Sequence, residues 1–500
     1  MNVPSSSGTS ALDRIAGPRA AATLHAAPPA AGVARAGETV ASTCVTLGAA
    51  GSGVAYEMPR AVNVAPSRFW AAAHGDALGA LMLRNSGPYD VTLTDRWRGL
   101  GGALLRQLAA TGEGSAQTLA EVTPPPDDAA AVEGAAAPGP VIDAAEFQAQ
   151  ALSGVTTDAV KASLTLTTRS GQSVSLEIAV NDGEYGGTRG LKVQVASSGP
   201  LSDAERDALA AMAGGLDQAL EGLGQAVPRF DLSGLKGFDG SGELTGLDLA
   251  IEDPNASTRT GAMRALSLHL GNDRTALSLE RTGSEMALSI AATATDVVDG
   301  DQRRSAIDLM LAQIDAAAER GHADPRTVGI FKDAFRQLQA PAPDASPVPA
   351  DGDLPSQVQA LQSGLADFEA SFSGRSEKTN RFGGLTEQGT IDYRIGQNTS
   401  STPADARGQS VTQVQTEASD ATIQKTRTLL LDVPSGNYDV TNIRDRKTVT
   451  TLIDTSLTAI TGALRKTDEH RLSAFTSLER DRVTAHHESP LDRSFIERLR

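Results

Sequence analysis

Cysteine is almost missing from this sequence: Cys44 is the only one in 500 residues. One thiol cannot close an intramolecular disulfide, nor can it supply a zinc site, which draws on several thiolate or imidazole ligands. Cys44 lies among Gly, Ala and Ser with no histidine near it in sequence, which argues against a base-assisted nucleophile. Aromatic residues are scarce too, at 4% of the chain, while hydrophobic residues reach 40%. Much of that share is alanine, which buries little area per side chain, so small aliphatic cores are expected.

Long apolar runs are also lacking. No stretch nears the roughly 20 apolar residues that span a bilayer, and residues 1–30 lack the compact apolar segment of a cleaved secretory signal. The chain therefore reads as soluble, without membrane insertion. Basic residues are outnumbered, 44 against 61 acidic, for a net charge of -17. That balance repels phosphate backbones, so nucleic acid is not an expected partner. The acidity itself reads as a solvated, self-repelling surface.

Signatures of chemistry are absent in turn. The glycines at 183, 186, 187 and 190 lack the Lys and Ser/Thr of a phosphate loop and follow no parallel strand into a helix. They read as a loop between strands, although Tyr185 and Arg189 within it could touch a ligand. His486 and His487 are the only adjacent histidines, and neighbouring side chains on a helix diverge too far to chelate, even with Glu488 beside them. Asp296, Asp299 and Asp301, and separately Asp239, Ser241 and Glu243, fall short of the twelve-residue calcium loop that ends in Glu. No Gly-x-Ser-x-Gly elbow occurs, and Ser241 between two glycines belongs to a turn. No catalytic, cofactor-binding or metal-binding residue is assigned, and no cofactor is implied.

What the sequence does contain is pattern. Residues 1–65 are dominated by Ser, Ala, Gly and Pro, with Asp13, Glu38 and Glu57 the only acids in the first 60, and cannot bury enough apolar surface to order. This acid-poor, disordered leader resembles the uncleaved export signals of bacterial type III substrates. From Pro66, Phe69, Trp70, Leu78, Leu81 and Leu83 suggest a helix. After a turn at 85–88, Trp97, Leu100, Leu104, Leu105 and Leu108 line a second one, with Thr94 or Asp95 able to cap it. This small helical module, 66–122, holds both tryptophans, read as core. A Pro/Ala/Gly-rich linker follows at 123–143.

An α+β domain is expected over 144–340, built of two meander-plus-helix units. Leu164 and Leu166, then Val174 through Val180, then Leu191 through Val195 alternate as strands with one buried face. Ser202 and Glu205 form a capping box for a helix carrying Leu209, Met212, Leu216, Leu220 and Leu223, whose Gly214 and Gly215 should weaken it by about 1 kcal/mol each. The second unit runs from Leu247 to Ile290, then a helix through Ile307 to Ile314. Asp324 and Pro325 start the partner helix of Val328, Phe331, Phe335 and Leu338. The two units are either a duplication or halves of one larger sheet.

A linker at 341–355 leads to an α+β C-terminal region, 356–465. There a helix is expected through Val358, Leu361, Leu365, Phe368 and Phe372, and a strand at Ile391, Tyr393 and Ile395. A polar loop should follow from Gln397 to Gly408, then a buried strand at Leu429–Leu431 and a closing helix over Leu452 to Leu464. Residues 466–500 read as a charged helical tail, either solvated or docking on a partner.

Two patches resemble a group of uncharacterised proteobacterial proteins: Pro200 through Asp239, with its Leu-Ser-Asp-Ala-Glu-Arg start, and the segment around Trp97, Gly101 and Gly102. The resemblance implies no known activity and carries over no site residue. The fold class expected is α+β, short antiparallel β-meanders covered by amphipathic helices behind a disordered leader. The function expected is that of a non-enzymatic protein-interaction or structural protein of bacterial type, with a protein partner, cytoplasmic or exported without a cleaved signal peptide. The alternative is an enzyme, such as a hydrolase, with a polar site assembled only in space.

Overall fold

The computed structural model describes residues 67–72, 75–87, 92–122, 143–183, 188–225, 228–236, 242–256, 262–272, 274–291, 300–340, 354–402 and 408–499. The expected leader and nearly all of both linkers lie outside these residues, as does Cys44. Among the described residues no helix is long and apolar enough to cross a membrane.

Alternation of apolar and polar residues becomes strand wherever the sequence shows it clearly. β3 (Val160–Thr168), β4 (Ser173–Asn181) and β5 (Arg189–Ser197) form the first meander. β6 (Leu244–Glu252), β7 (Met263–Gly271), β8 (Arg274–Arg281) and β9 (Ser284–Ala291) form the second. Antiparallel pairing of β3 with β6 joins them, so they are parts of one larger sheet. β1 (Ser67–Trp70) and β2 (Ser115–Val122) extend it past β5.

The sheet continues beyond β9 through β10 (Phe368–Thr379), β11 (Leu385–Ser401), β12 (Gln409–Thr426), β13 (Tyr438–Thr455), β14 (Ile460–Glu479) and β15 (Arg482–Arg498). The result is one 15-stranded antiparallel sheet in the order β1-β2-β5-β4-β3-β6-β7-β8-β9-β10-β11-β12-β13-β14-β15. The protein is thus sheet-dominated, and short meanders under helical cover describe only its first part.

Most helices pack on one face. α1 (Ala77–Asn85), α2 (Leu93–Trp97), α3 (Leu100–Thr111) and α5 (Asp203–Leu223) cover the first meander. Gly102 lets α3 and α5 touch, since a Cβ there would lie 2.6 Å from the Ala213 carbonyl oxygen. α4 (Ala144–Gly154) takes the opposite face at the β1–β2 edge. Ala120 and Phe69 pack with Ala151 there, while their neighbours Leu119 and Trp70 point into the main core. α6 (Ser233–Lys236) packs against α5.

α7 (Gly300–Arg320) and α8 (Pro325–Gln339) cover the later strands, and α8 starts as its sequence demands, with Asp324 accepting from the Thr327 amide at 3.0 Å and Pro325 in the first turn. Phe331 and Phe335 meet Phe372, Tyr393 and Phe368 at ring separations of 5.0 to 6.4 Å. These aromatics pin α8 to β10 and β11. The short α9 (Leu354–Ala360) lies near β14, where Val358 packs beside Val411, Ile453 and Ala463.

Several expected helices are strands. Phe69 and Trp70 belong to β1, and the predicted second helix is split at Gly99, with Thr92 rather than Thr94 or Asp95 capping α2. Phe368 and Phe372 follow a two-residue repeat through Ala370 that pairs with β9. The predicted polar loop at Gln397 is strand as far as Ser401. Leu429 and Leu430 are 71% and 49% exposed in a connection, not in a buried strand. The closing helix and the charged helical tail are β13, β14 and β15. Their Thr, Val and Ile content favours the extended chain, and non-local pairing decides the outcome where hydrophobic period is weak.

Candidate functional site

The register of the sheet carries one row of side chains across many strands. On the helix-facing side it runs Val195, Leu176, Leu164, Leu249, Leu268, Leu277, Leu288, Ala370, Ile395, each opposite the next and each buried. Past Ile395 the same row reads Glu417, Lys447, Glu469, Arg493. The core ends and a ladder of alternating charge begins. The next row adds Tyr393, Ser419, Asp445 and Arg471. Opposite charges set across antiparallel strands attract, by a few tenths to about 1 kcal/mol each.

The C-terminal end of α7 closes over this ladder. Arg320 grips Asp445 with two donors, at 2.7 and 2.9 Å, and Arg471 lies 2.5 Å from Glu469. Burial pushes the Glu417 carboxyl above the ordinary range, with Lys447, the Tyr393 hydroxyl and Arg471 opposing. Tyr393 donates to Glu417 at 3.3 Å, and burial pushes its phenol up as well. A cavity of about 80 Å³ remains among Ala317, Arg320, Glu417, Ser419, Asp445 and Lys447, and the buried Ser419 hydroxyl has no hydrogen-bond partner there. Beyond this point helical cover stops: β15 is exposed along its length except at Leu491.

Two clefts lie elsewhere. One of about 520 Å³ sets Arg264, Arg281 and Arg375 against Glu280, Glu285 and Asp392, with Arg264 held 2.6 Å from Glu280. The other, of about 500 Å³, is lined by Asp158, Asn181, Asp182, Thr188, Asp253 and Asn255. Behind it Arg96, 1% exposed, sits 2.7 Å from Asp182, and burial lowers its pKa against the opposing pull of Asp182. Asn181 and Asn255 spend their amides on backbone carbonyls of Gly154, Thr157 and Asp158, so they tie loops together.

The residues weighed from sequence are scattered. Arg189 is buried and donates to the Ser86 carbonyl at 2.9 Å, while Tyr185 lies outside the described residues. Trp97 is core, at 1% exposed, and Trp70 is partly buried against the same large apolar cluster. His486 and His487 stand on β15, a strand rather than a helix, where successive side chains take opposite faces. His486 contacts Thr476 and His487 contacts Ser489. Asp301 pairs with Arg304 on the surface, Glu243 lies 4.0 Å from Arg169, and Asp239, Ser241, Asp296 and Asp299 lie outside the described residues. Among the described residues no cluster of His, Cys, Asp and Glu could hold a metal ion.

Sequence reasoning missed the charge ladder altogether. Its members are spread over four strands, and only the strand register sets Glu417, Lys447, Glu469 and Arg493 in line. Comparison with known proteins adds no relative: no family model, no curated protein and no solved structure matches the chain.

Proposed function

We propose that this is a non-enzymatic interaction protein that binds a protein partner through the uncovered end of its sheet. The observation that supports this reading most is the passage of one register row from buried leucines to an alternating ladder ending at the exposed Arg493. A folded chain that leaves every residue of β15 but Leu491 exposed presents a broad, largely polar surface suited to charge-matched recognition. Charges at such a rim govern the rate of encounter and the choice of partner more than affinity.

The test is capture of partners by the full chain and by R493E/R498E, both of which alter exposed side chains only. The expected result is a stability loss of no more than about 1 kcal/mol, from the like charge set opposite Glu469, with partner capture lowered by about tenfold, a change of about 1.4 kcal/mol. Undiminished capture by the variant would remove β15 from the interaction and overturn the proposal.

A further inference from the structure

One backbone bond fixes which way the groups at the open edge of the sheet point. The Leu499 amide donates to the Ala463 carbonyl of β14 at 2.9 Å. In an antiparallel ladder backbone groups turn to the two sides at alternate residues. Odd-numbered residues from Leu491 to Leu499 therefore turn theirs to β14, and even-numbered ones turn theirs outward. Among the described residues β15 pairs only with β14, which leaves the outward groups unpaired. Pro490 stands at an outward position, so its missing N–H costs the pairing with β14 nothing.

The side chains of this edge match a second copy of themselves. With Phe495 opposite its own copy in an antiparallel pair, Arg493 faces Glu497 and Asp492 faces Arg498, each twice by symmetry, and Leu491 faces Leu499. Moving the centre to Ser494 or Ile496 loses all four charge pairs, and moving it to Asp492 or Arg493 sets like charge against like. These charges are not used up inside the chain. On the β14 side Arg493 faces Glu469 and Glu497 faces Arg465, but Glu469 is held by Arg471 at 2.5 Å and Arg465 reaches the Thr451 hydroxyl at 3.4 Å. Arg493, Glu497 and Arg498 are exposed and make no ion pair among the described residues. Asp492 meets His470 at 2.8 Å through Oδ1, leaving its other oxygen for a second donor.

We infer that β15 pairs antiparallel with β15 of a second copy of this chain, about a two-fold axis at Phe495, so that the sheet runs on from one chain into the next. The inference rests on the reading of β15 as the binding edge and names its partner. Asp492, Ser494, Ile496 and Arg498 bond the opposing strand, about eight hydrogen bonds in all. Phe495, 55% exposed in the single chain, meets its copy at a pair without hydrogen bonds, where the strands come closest. Charges and proline ordinarily blunt an open edge. Here Pro490 falls just beyond the bonded segment, and the charges admit one register while penalising its neighbours. The net charge of -17 repels a second copy, but residues 491–499 are neutral, and at physiological salt the repulsion fades within about 8 Å.

The experiment is the molar mass of the full chain by light scattering over a concentration series, with a rise to twice the chain mass expected. D492R and R498D each set like charges face to face twice and should weaken the dimer at least about tenfold. D492R/R498D restores opposite charges with the signs exchanged and should recover the dimer, which damage to the single chain would not do. Under oxidation C44S/F495C should cross-link two chains, because the pair on the axis brings its Cα atoms to about 4.5 Å. C44S/R493C, whose copies stand four residues apart, should not. A full chain that stays monomeric throughout overturns the inference, as does a dimer that D492R and R498D leave intact or a cross-link at 493 in place of 495. If the chain is monomeric while R493E/R498E still loses capture of another protein, β15 remains the binding edge and the second copy is the wrong partner.

Discussion

Single residues at α5 show how local and distant chemistry divide the work. Ser202 caps the helix, its Oγ accepting from the Glu205 amide at 3.2 Å, while Glu205 accepts from the Ser202 amide at 2.9 Å and the Ser170 hydroxyl at 2.6 Å. Burial pushes the Glu205 carboxyl up, but these hydrogen bonds and that of Thr168 outweigh it and hold it at about 2. A depressed folded pKa gives stability that is complete above the ordinary value of 4.5 and disappears as pH falls toward 2. Acid unfolding followed by circular dichroism should show this loss between those limits, and E205Q should flatten it while costing about 1 kcal/mol at neutral pH. The capping box was legible in the sequence because all its parts lie within one turn. The role of Gly215 was not, because its partner Gly234 comes from the segment that folds back on the helix, placing a carbonyl oxygen 2.2 Å from where a Cβ would stand. Gly214 has nothing within 4 Å. Thermal melts should therefore separate the pair: G214A stabilises by up to about 1 kcal/mol, and G215A destabilises by about 1–3 kcal/mol.

At the scale of elements, legibility followed the strength of the hydrophobic period. β3, β4, β5 and α8 stood out because leucines, valines and phenylalanines mark one face, and each formed where expected. Residues 438–498 defeated the same reading. Leu452, Ile453, Leu457, Ile460 and Leu464 imitate helical spacing, yet Ile453 lies across from Ala463 in a hairpin, and Leu457 is 69% exposed in its turn. The better signal was the density of β-branched residues in Thr448 through Thr451, which favours strand whatever the apolar spacing. The junction between the legible and illegible parts is the aromatic contact of α8 with β10 and β11. Phe331 is fully buried between Phe372 and Tyr393, so F331A should cost about 3–5 kcal/mol in chemical denaturation. A loss under 1 kcal/mol would show that α8 is not pinned there.

Across the whole molecule, one sheet serves two purposes. From β2 to β11 its helix-facing side is a packed apolar layer; on β12 and β13 that layer persists at Ala421, Ile423 and Ile443, while the rows through Glu417 and Ser419 turn charged and end on the open β15. The candidate surface could not be seen in the sequence because a row of charges exists only once four strands are in register. The long polar strands hold by their hydrogen-bond ladders and cross-strand pairs, with little buried area, so they should be the least stable part of the sheet while still folded. Amide hydrogen exchange on the full chain measures this directly. Amides of β12, β13 and β14 should exchange far more slowly than in an unfolded peptide, and β3, β4 and β6 more slowly still. Exchange of residues 438–479 at the rate of an unfolded chain would contradict the continuous sheet, and with it the charged surface on which the proposed interaction depends.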